Sequence, residues 1–176
     1  MLYFLGFLLV FPDYPIELAY GGVLNVIPDF LGYAILLLAC LRDARENVHF
    51  RRMRYATFVA LPLSIAEFSL ALAVPTTQAT VSVVMGVALT VVSLYVTYTY
   101  AEGAKALEKR RYQKLDADKI ASAWFILTMA SLLMYLALYL LPAVLLPCNL
   151  VYILAILWLE GAVFQFEKKL SSQKRS

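Results

Sequence analysis

Charge is what this sequence has least of. Only 15% of its 176 residues are Asp, Glu, Lys or Arg, while 62% are apolar. A water-soluble domain carries roughly a quarter charged residues to coat its surface, so a soluble globular fold is excluded. Histidine is nearly absent too, with one residue, and cysteine occurs twice. A zinc site wants three or four nearby ligands, and a Ser–His nucleophile needs its histidine beside the serine. His49, alone in an arginine-rich stretch, supplies neither. No His-Glu-x-x-His run occurs, and Gly21-Gly22 lacks the strand, spacing and lysine of a phosphate loop. Cys40 and Cys148 fall toward opposite ends of their apolar stretches. A hydrocarbon core of ~30 Å separates those levels, against the ~7 Å Cα separation that a disulfide tolerates. The sequence therefore predicts no metal, no cofactor and no disulfide.

What is abundant is long apolar sequence. The stretches are Met1–Phe11, Val23–Leu41, Tyr55–Val74, Ala79–Tyr100, Ile120–Leu141 and Val144–Phe164. Spans of roughly 20 residues each would fill about two thirds of the chain. The expected fold is all-α: a polytopic membrane helix bundle of about six membrane segments, the first one short. Residues 1–170 read as a single transmembrane helical domain and 171–176 as a polar cytoplasmic tail.

The basic residues sort these segments by side. All 15 Lys and Arg lie outside the apolar stretches, in Arg42–Arg54, in Lys105–Lys119 and in the tail. The alternate connections, Pro12–Gly22, Pro75–Gln78 and Pro142–Ala143, contain none. Loops rich in Lys and Arg stay cytoplasmic, so the basic loops and the C-terminus are expected inside. Six crossings would put the N-terminus inside as well. This predicts a multi-pass protein of the plasma membrane, with basic loops able to attract anionic lipid. The net charge of +3 is that sidedness, and no nucleic-acid role follows, because the basic loops lack aromatic interleaving. Beyond the bilayer, the partners left open are a second copy of the chain or a membrane partner protein. Met1–Phe11 carries no basic segment before its apolar run and no small-x-small site after it, so an uncleaved first helix is expected.

Few polar groups interrupt the apolar stretches, and these are the candidate functional residues. Glu67 sits near the middle of Tyr55–Val74, where no Lys or Arg is at hand. A bare carboxylate facing lipid costs several kcal/mol, so Glu67 is expected to face the bundle interior and keep its proton. Asp29 follows Pro28, which is favourable helix-start chemistry. A helix from Pro28 to Leu41 would reach only ~21 Å, however, so a start at Val23 with a kink at Pro28 is preferred. That places Asp29 below the outer surface beside Asn25 and Tyr33. Asn149, toward the outer end of the last stretch, and Glu160, toward its inner end, complete the set. Ser82, Gly86 and Thr90 recur every fourth position, the small-xxx-small spacing that lets two helices approach closely.

The run Asn25, Pro28, Asp29, Phe30, Gly32 and Tyr33 carries a resemblance. In its Asn-x-x-Pro-Asp-Phe-x-Gly-Tyr spacing it resembles a segment near the N-terminus of small polytopic membrane proteins of Gram-positive bacteria. Those proteins share the short first helix, the exposed segment after it and the basic loop that follows. The likeness covers about a quarter of the chain. It implies architecture and no activity.

Two function classes follow. In the first, the polar groups pack and cap, and the protein is structural or binds a partner in the membrane. This asks least of the residues. The alternative is a small transporter, or a transporter-associated subunit, that uses an intramembrane carboxylate. An intramembrane enzyme has the weakest support. An acid pair needs carboxylates a few ångströms apart, and Asp29 and Glu67 are expected at different depths.

Overall fold

The computed structural model describes residues 1–11, 15–17, 23–25, 28–73, 79–111 and 114–173. Its elements are α1 (Leu2–Val10), β1 (Pro15–Glu17), β2 (Val23–Asn25), α2 (Asp29–Asp43), α3 (Val48–Ala73), α4 (Ala79–Arg111), α5 (Ala117–Leu140) and α6 (Leu145–Gln173). A single 3-10 turn, Pro142–Val144, joins α5 to α6.

The protein is a helical, multi-span integral membrane protein, but the expectation of about six spans is wrong. Among the described residues, three helices are long and apolar enough to cross a bilayer: Val83–Arg111, Ala117–Leu140 and Pro142–Ser172. The physical reasons are specific. With 9 and 15 residues, α1 and α2 reach only about 14 and 22 Å against a hydrocarbon of ~30 Å. In α3, Arg51, Arg52 and Arg54 occupy the opening turns. The apolar run from there to Glu67 is about 12 residues, or ~18 Å. With six crossings goes the inference that both termini are cytoplasmic.

The helix boundaries also move. The preferred start at Val23 fails because Val23–Asn25 pairs as a strand with Pro15–Glu17, antiparallel, with Ile16 opposite Leu24. Helix α2 begins at Asp29, with Pro28 extended at φ −66°. Proline is suited to that junction because its missing N–H would be unpaired in the first turn anyway. The Arg42–Arg54 loop shrinks as well. Arg42 lies in the last turn of α2, whereas Arg51, Arg52 and Arg54 belong to α3. Asn47 caps α3 by accepting the Phe50 N–H at 3.0 Å.

The described residues divide into two compact units, Leu2–Tyr100 and Ala101–Ser176 together with Met1. In the first, α1 lies directly on α2. A Cβ added at Gly32 would stand 2.7 Å from the Gly6 carbonyl oxygen and 3.0 Å from the Val10 nitrogen. Only glycine permits that backbone approach. An aromatic cluster of Tyr3, Phe7, Phe50 and Tyr100 fills the space beside it, with ring centroids 4.7–6.2 Å apart. Phe30 of α2 meets Phe68 of α3 edge-on at 5.6 Å.

In the second unit, α5 and α6 form an antiparallel hairpin. The buried face of α5 is Ala117, Ile120, Ala123, Leu127, Ala130, Ser131 and Ala137. Recurrent alanine on one face lets the partner helix come close. The start of α5 is held by a residue from the helix before it. Glu108 accepts the Ala117 N–H at 2.7 Å, satisfying a donor that the first turn leaves open.

Candidate functional site

Helix α6 places its acids on the face turned inward. Cys148, Ala155, Ile156, Leu159, Val163 and Phe166 are buried, at the three- and four-residue spacing of one helical face. Glu160 and Glu167, seven apart, fall on the same side and are buried with them. Helix α6 runs to Gln173, well past the Phe164 boundary that its apolar run suggests. Glu160 therefore stands near mid-helix, about 15 residues or ~23 Å from the start. It is 6% exposed, and its Oε1 has no hydrogen-bond partner among the described residues. Glu167, by contrast, lies 2.9 Å from the α-amino group of Met1.

The other candidates from the sequence are placed as follows. Glu67 is half-buried on α3, and a Cβ added at Gly86 would lie 3.6 Å from its Oε1. The Glu67 carboxylate of α3 thus lies against the Gly86 backbone of α4. Thr90, one turn further on, donates its hydroxyl to the Gly86 carbonyl at 2.9 Å. Ser82 lies on α4, and its side chain falls outside the described residues. Asn25 pairs through its backbone with Pro15, and its side chain is likewise outside them. Asp29 is half-buried in the first turn of α2, where a carboxylate meets the positive end of the helix dipole. Asn149 is exposed on the second turn of α6. Tyr33 is buried, at 1% exposure, and its hydroxyl bonds Ser93. Ser93 gives its one hydroxyl hydrogen to the Leu89 carbonyl at 2.7 Å, so Tyr33 is the donor to Ser93. The fold brings Glu67 to Gly86 and Tyr33 to Ser93. It does not gather the candidates into one cluster.

Several groups escaped the sequence reading. Ser93 and Thr97 continue the spacing of Gly86 and Thr90, a signal present in the sequence. Asp116 is another. It adopts φ 64° and ψ 35° before α5, a left-handed conformation that aspartate tolerates better than most residues. Its carboxylate bonds Lys169 of α6 and pairs with Lys119 at 3.5 Å. The Lys169 ammonium, with Lys119 beside it, holds that carboxyl below the usual aspartate range. Lys105 adds contacts to Glu102 at 3.5 Å and to Asp118 at 4.0 Å. Such a spatial network depends on loop geometry that no spacing rule reveals.

Cys40 and Cys148 are both free and buried. Burial, first of all, pushes the Cys40 thiol up to about 12, which leaves it protonated and unreactive at neutral pH. Among the described residues no three His, Cys, Asp or Glu side chains stand close enough to share a metal ion. No protein-family model, no curated protein and no solved structure matches this chain.

Proposed function

We propose that this protein is a small transporter, or a transporter-associated subunit, of the plasma membrane whose working group is the carboxyl of Glu160. One observation carries the reading: Glu160 is buried at mid-height of a membrane-spanning helix, and one carboxyl oxygen has no hydrogen-bond partner among the described residues. A structural role rewards a buried carboxyl only when its oxygens are bonded, because an unpaired buried polar group costs about 1–3 kcal/mol. An ionisable group kept in a span at such a cost points to a path for a proton or an ion. The packing role that the sequence favours accounts for Glu160 less well.

Sidedness supports a cytoplasmic setting for the basic ends. Helix α4 closes on Lys109, Arg110 and Arg111, and Lys168 and Lys169 lie near the end of α6. Two crossings by α5 and α6 return the chain to the same side, and that side holds the basic residues.

The test is proton or solute flux in vesicles reconstituted with the full chain, read with an internal pH dye, alongside the infrared carboxyl band of Glu160. Wild type should show pH-dependent flux. Glu160→Gln should fold, lose the band and lose the flux. For a subunit that moves nothing alone, the band should still shift with pH. A band unmoved from mildly acidic to mildly alkaline pH, with no flux, would leave Glu160 as packing and end the transporter reading.

A further inference from the structure

The basic residues of the two units differ in what neutralises them. Around the α4–α5 connection the lysines already hold acids. Lys105 contacts Glu102 and Asp118, while Lys119 and Lys169 share Asp116. In the opening turns of α3, by contrast, Arg51, Arg52 and Arg54 form no ion pair among the described residues. Asp43, the acid at the end of α2, is taken by Arg42 at 3.0 Å. Helix α3 has no acid in its first turn, so the guanidiniums crowd the positive end of the helix dipole with nothing to offset it. An anion from outside the chain would relieve both.

The same face of α3 continues as uncovered apolar surface. Arg51, Arg52, Tyr55, Phe58, Val59 and Ile65 are all exposed and follow the spacing of one helical face. Phe58 is 66% exposed. The opposite face, Met53, Thr57, Ala60 and Ser64, is buried. Arg54 sets its guanidinium carbon 4.9 Å from the centre of the Tyr55 ring, which brings cation and aromatic to one level. Along the helix the order is guanidinium, tyrosine, phenylalanine, aliphatic. Headgroup, interface and acyl chain follow one another in that order across one leaflet. From Tyr55 to Ile65 the helix rises about 15 Å, half of a ~30 Å hydrocarbon core. A free phosphate would meet the arginines and leave Phe58 and Val59 bare. A second copy inserted in the same orientation would set these arginines against their own counterparts, and like charges repel.

We propose that this face of α3 binds an anionic phospholipid, its phosphate held by Arg51 and Arg52 and an acyl chain laid along Phe58, Val59 and Ile65. The planar guanidinium fork matches phosphate geometry. The face belongs to the other unit from Glu160, and the proposal stands whether or not Glu160 carries flux. It is tested by the melting midpoint of the full chain in detergent micelles, titrated with phosphatidylglycerol or with phosphatidylcholine. Wild type should melt higher with phosphatidylglycerol and stay unchanged with equal phosphatidylcholine. In Arg51→Gln/Arg52→Gln, where both side chains are exposed and folding is spared, the half-saturating lipid fraction should rise at least roughly tenfold. Lys109→Gln/Lys114→Gln removes the same charge from exposed positions before α5 and should titrate as wild type. Phe58→Ser should weaken binding and keep the preference for phosphatidylglycerol. Glycerol phosphate, the head without the tails, should give no rise. The proposal is overturned by an equal response to both lipids, an equal loss in the lysine variant, a Phe58→Ser titration identical to wild type, or a rise with glycerol phosphate alone. A dimer that Phe58→Ser dissociates would also overturn it, by making the face a contact between copies.

Discussion

Gly32 of α2 faces the Gly6 carbonyl of α1 so closely that a Cβ would come within 2.7 Å of that oxygen. Besides the Val10 Cγ2 at 2.6 Å, two backbone atoms stand within 3.0 Å, and these cannot turn aside. Gly32→Ala should cost about 1–3 kcal/mol through overpacking. Gly6→Ala meets chiefly the Leu36 side chain, at 2.5 Å, and the nearest backbone atom, the Gly32 carbonyl oxygen, only at 3.2 Å. It should cost less. Thermal denaturation of the two variants in one detergent checks the order, and equal losses would contradict the close approach.

Gly161 and Gly86 give the contrast. A Cβ at Gly161 meets nothing within 4 Å, and at Gly86 it meets only Glu67 Oε1 at 3.6 Å. Gly161→Ala should stabilise α6 by up to about 1 kcal/mol, the helix-propensity gain of alanine over glycine. Gly86→Ala should be tolerated for folding, because the added methyl makes only an ordinary contact with Glu67.

Glu160 should be a stability liability. Replacing a buried carboxyl by an apolar side chain of similar length removes an unpaired oxygen, so Glu160→Met should raise the melting midpoint, by about 1 kcal/mol in free energy. Loss of function with gain of stability in the same variant is the pattern of a residue retained for its chemistry. A destabilised Glu160→Met would mean that the oxygen has a partner after all.

The Asp116–Lys169 contact predicts the pH response outside the bilayer. Folding lowers the Asp116 value through Lys169, so its stabilisation is fully present above the unfolded aspartate value, near pH 4. It is lost as pH falls through the lower folded value. Asp116→Asn tolerates the left-handed backbone but carries no charge. It should lower the melting midpoint in the neutral range and match wild type at the acid end, so that the acid limb of the profile flattens.

Three crossings make a labelling prediction. With Cys40 and Cys148 replaced, single cysteines at Lys114 and Ser172 should label from the same side, and one at Ala143 from the opposite side. Lys114 and Ala143 flank one crossing, α5, and Ala143 and Ser172 flank the next, α6. Labelling of Lys114 and Ala143 from one side would remove α5 as a span.

The sequence by itself determined the class. Sparse charge, clustered on alternate connections, leaves no soluble alternative, because a bilayer core accepts apolar helices and little else. It also marked Glu67, Glu160 and Tyr33 as polar groups in apolar surroundings. Composition could not settle how many of the apolar stretches are spans. Val23–Leu41 reads as one apolar run, yet its first residues pair with Pro15–Glu17 in a ladder, and the helix left over is too short to cross. Strand pairing is a contact between distant residues, invisible to local periodicity. The same holds for the site. Whether Glu160 keeps a free oxygen, and whether Ser93 meets Tyr33, depends on which helix lies opposite. Side-chain spacing fixes the face of a helix, and only tertiary packing decides what that face meets.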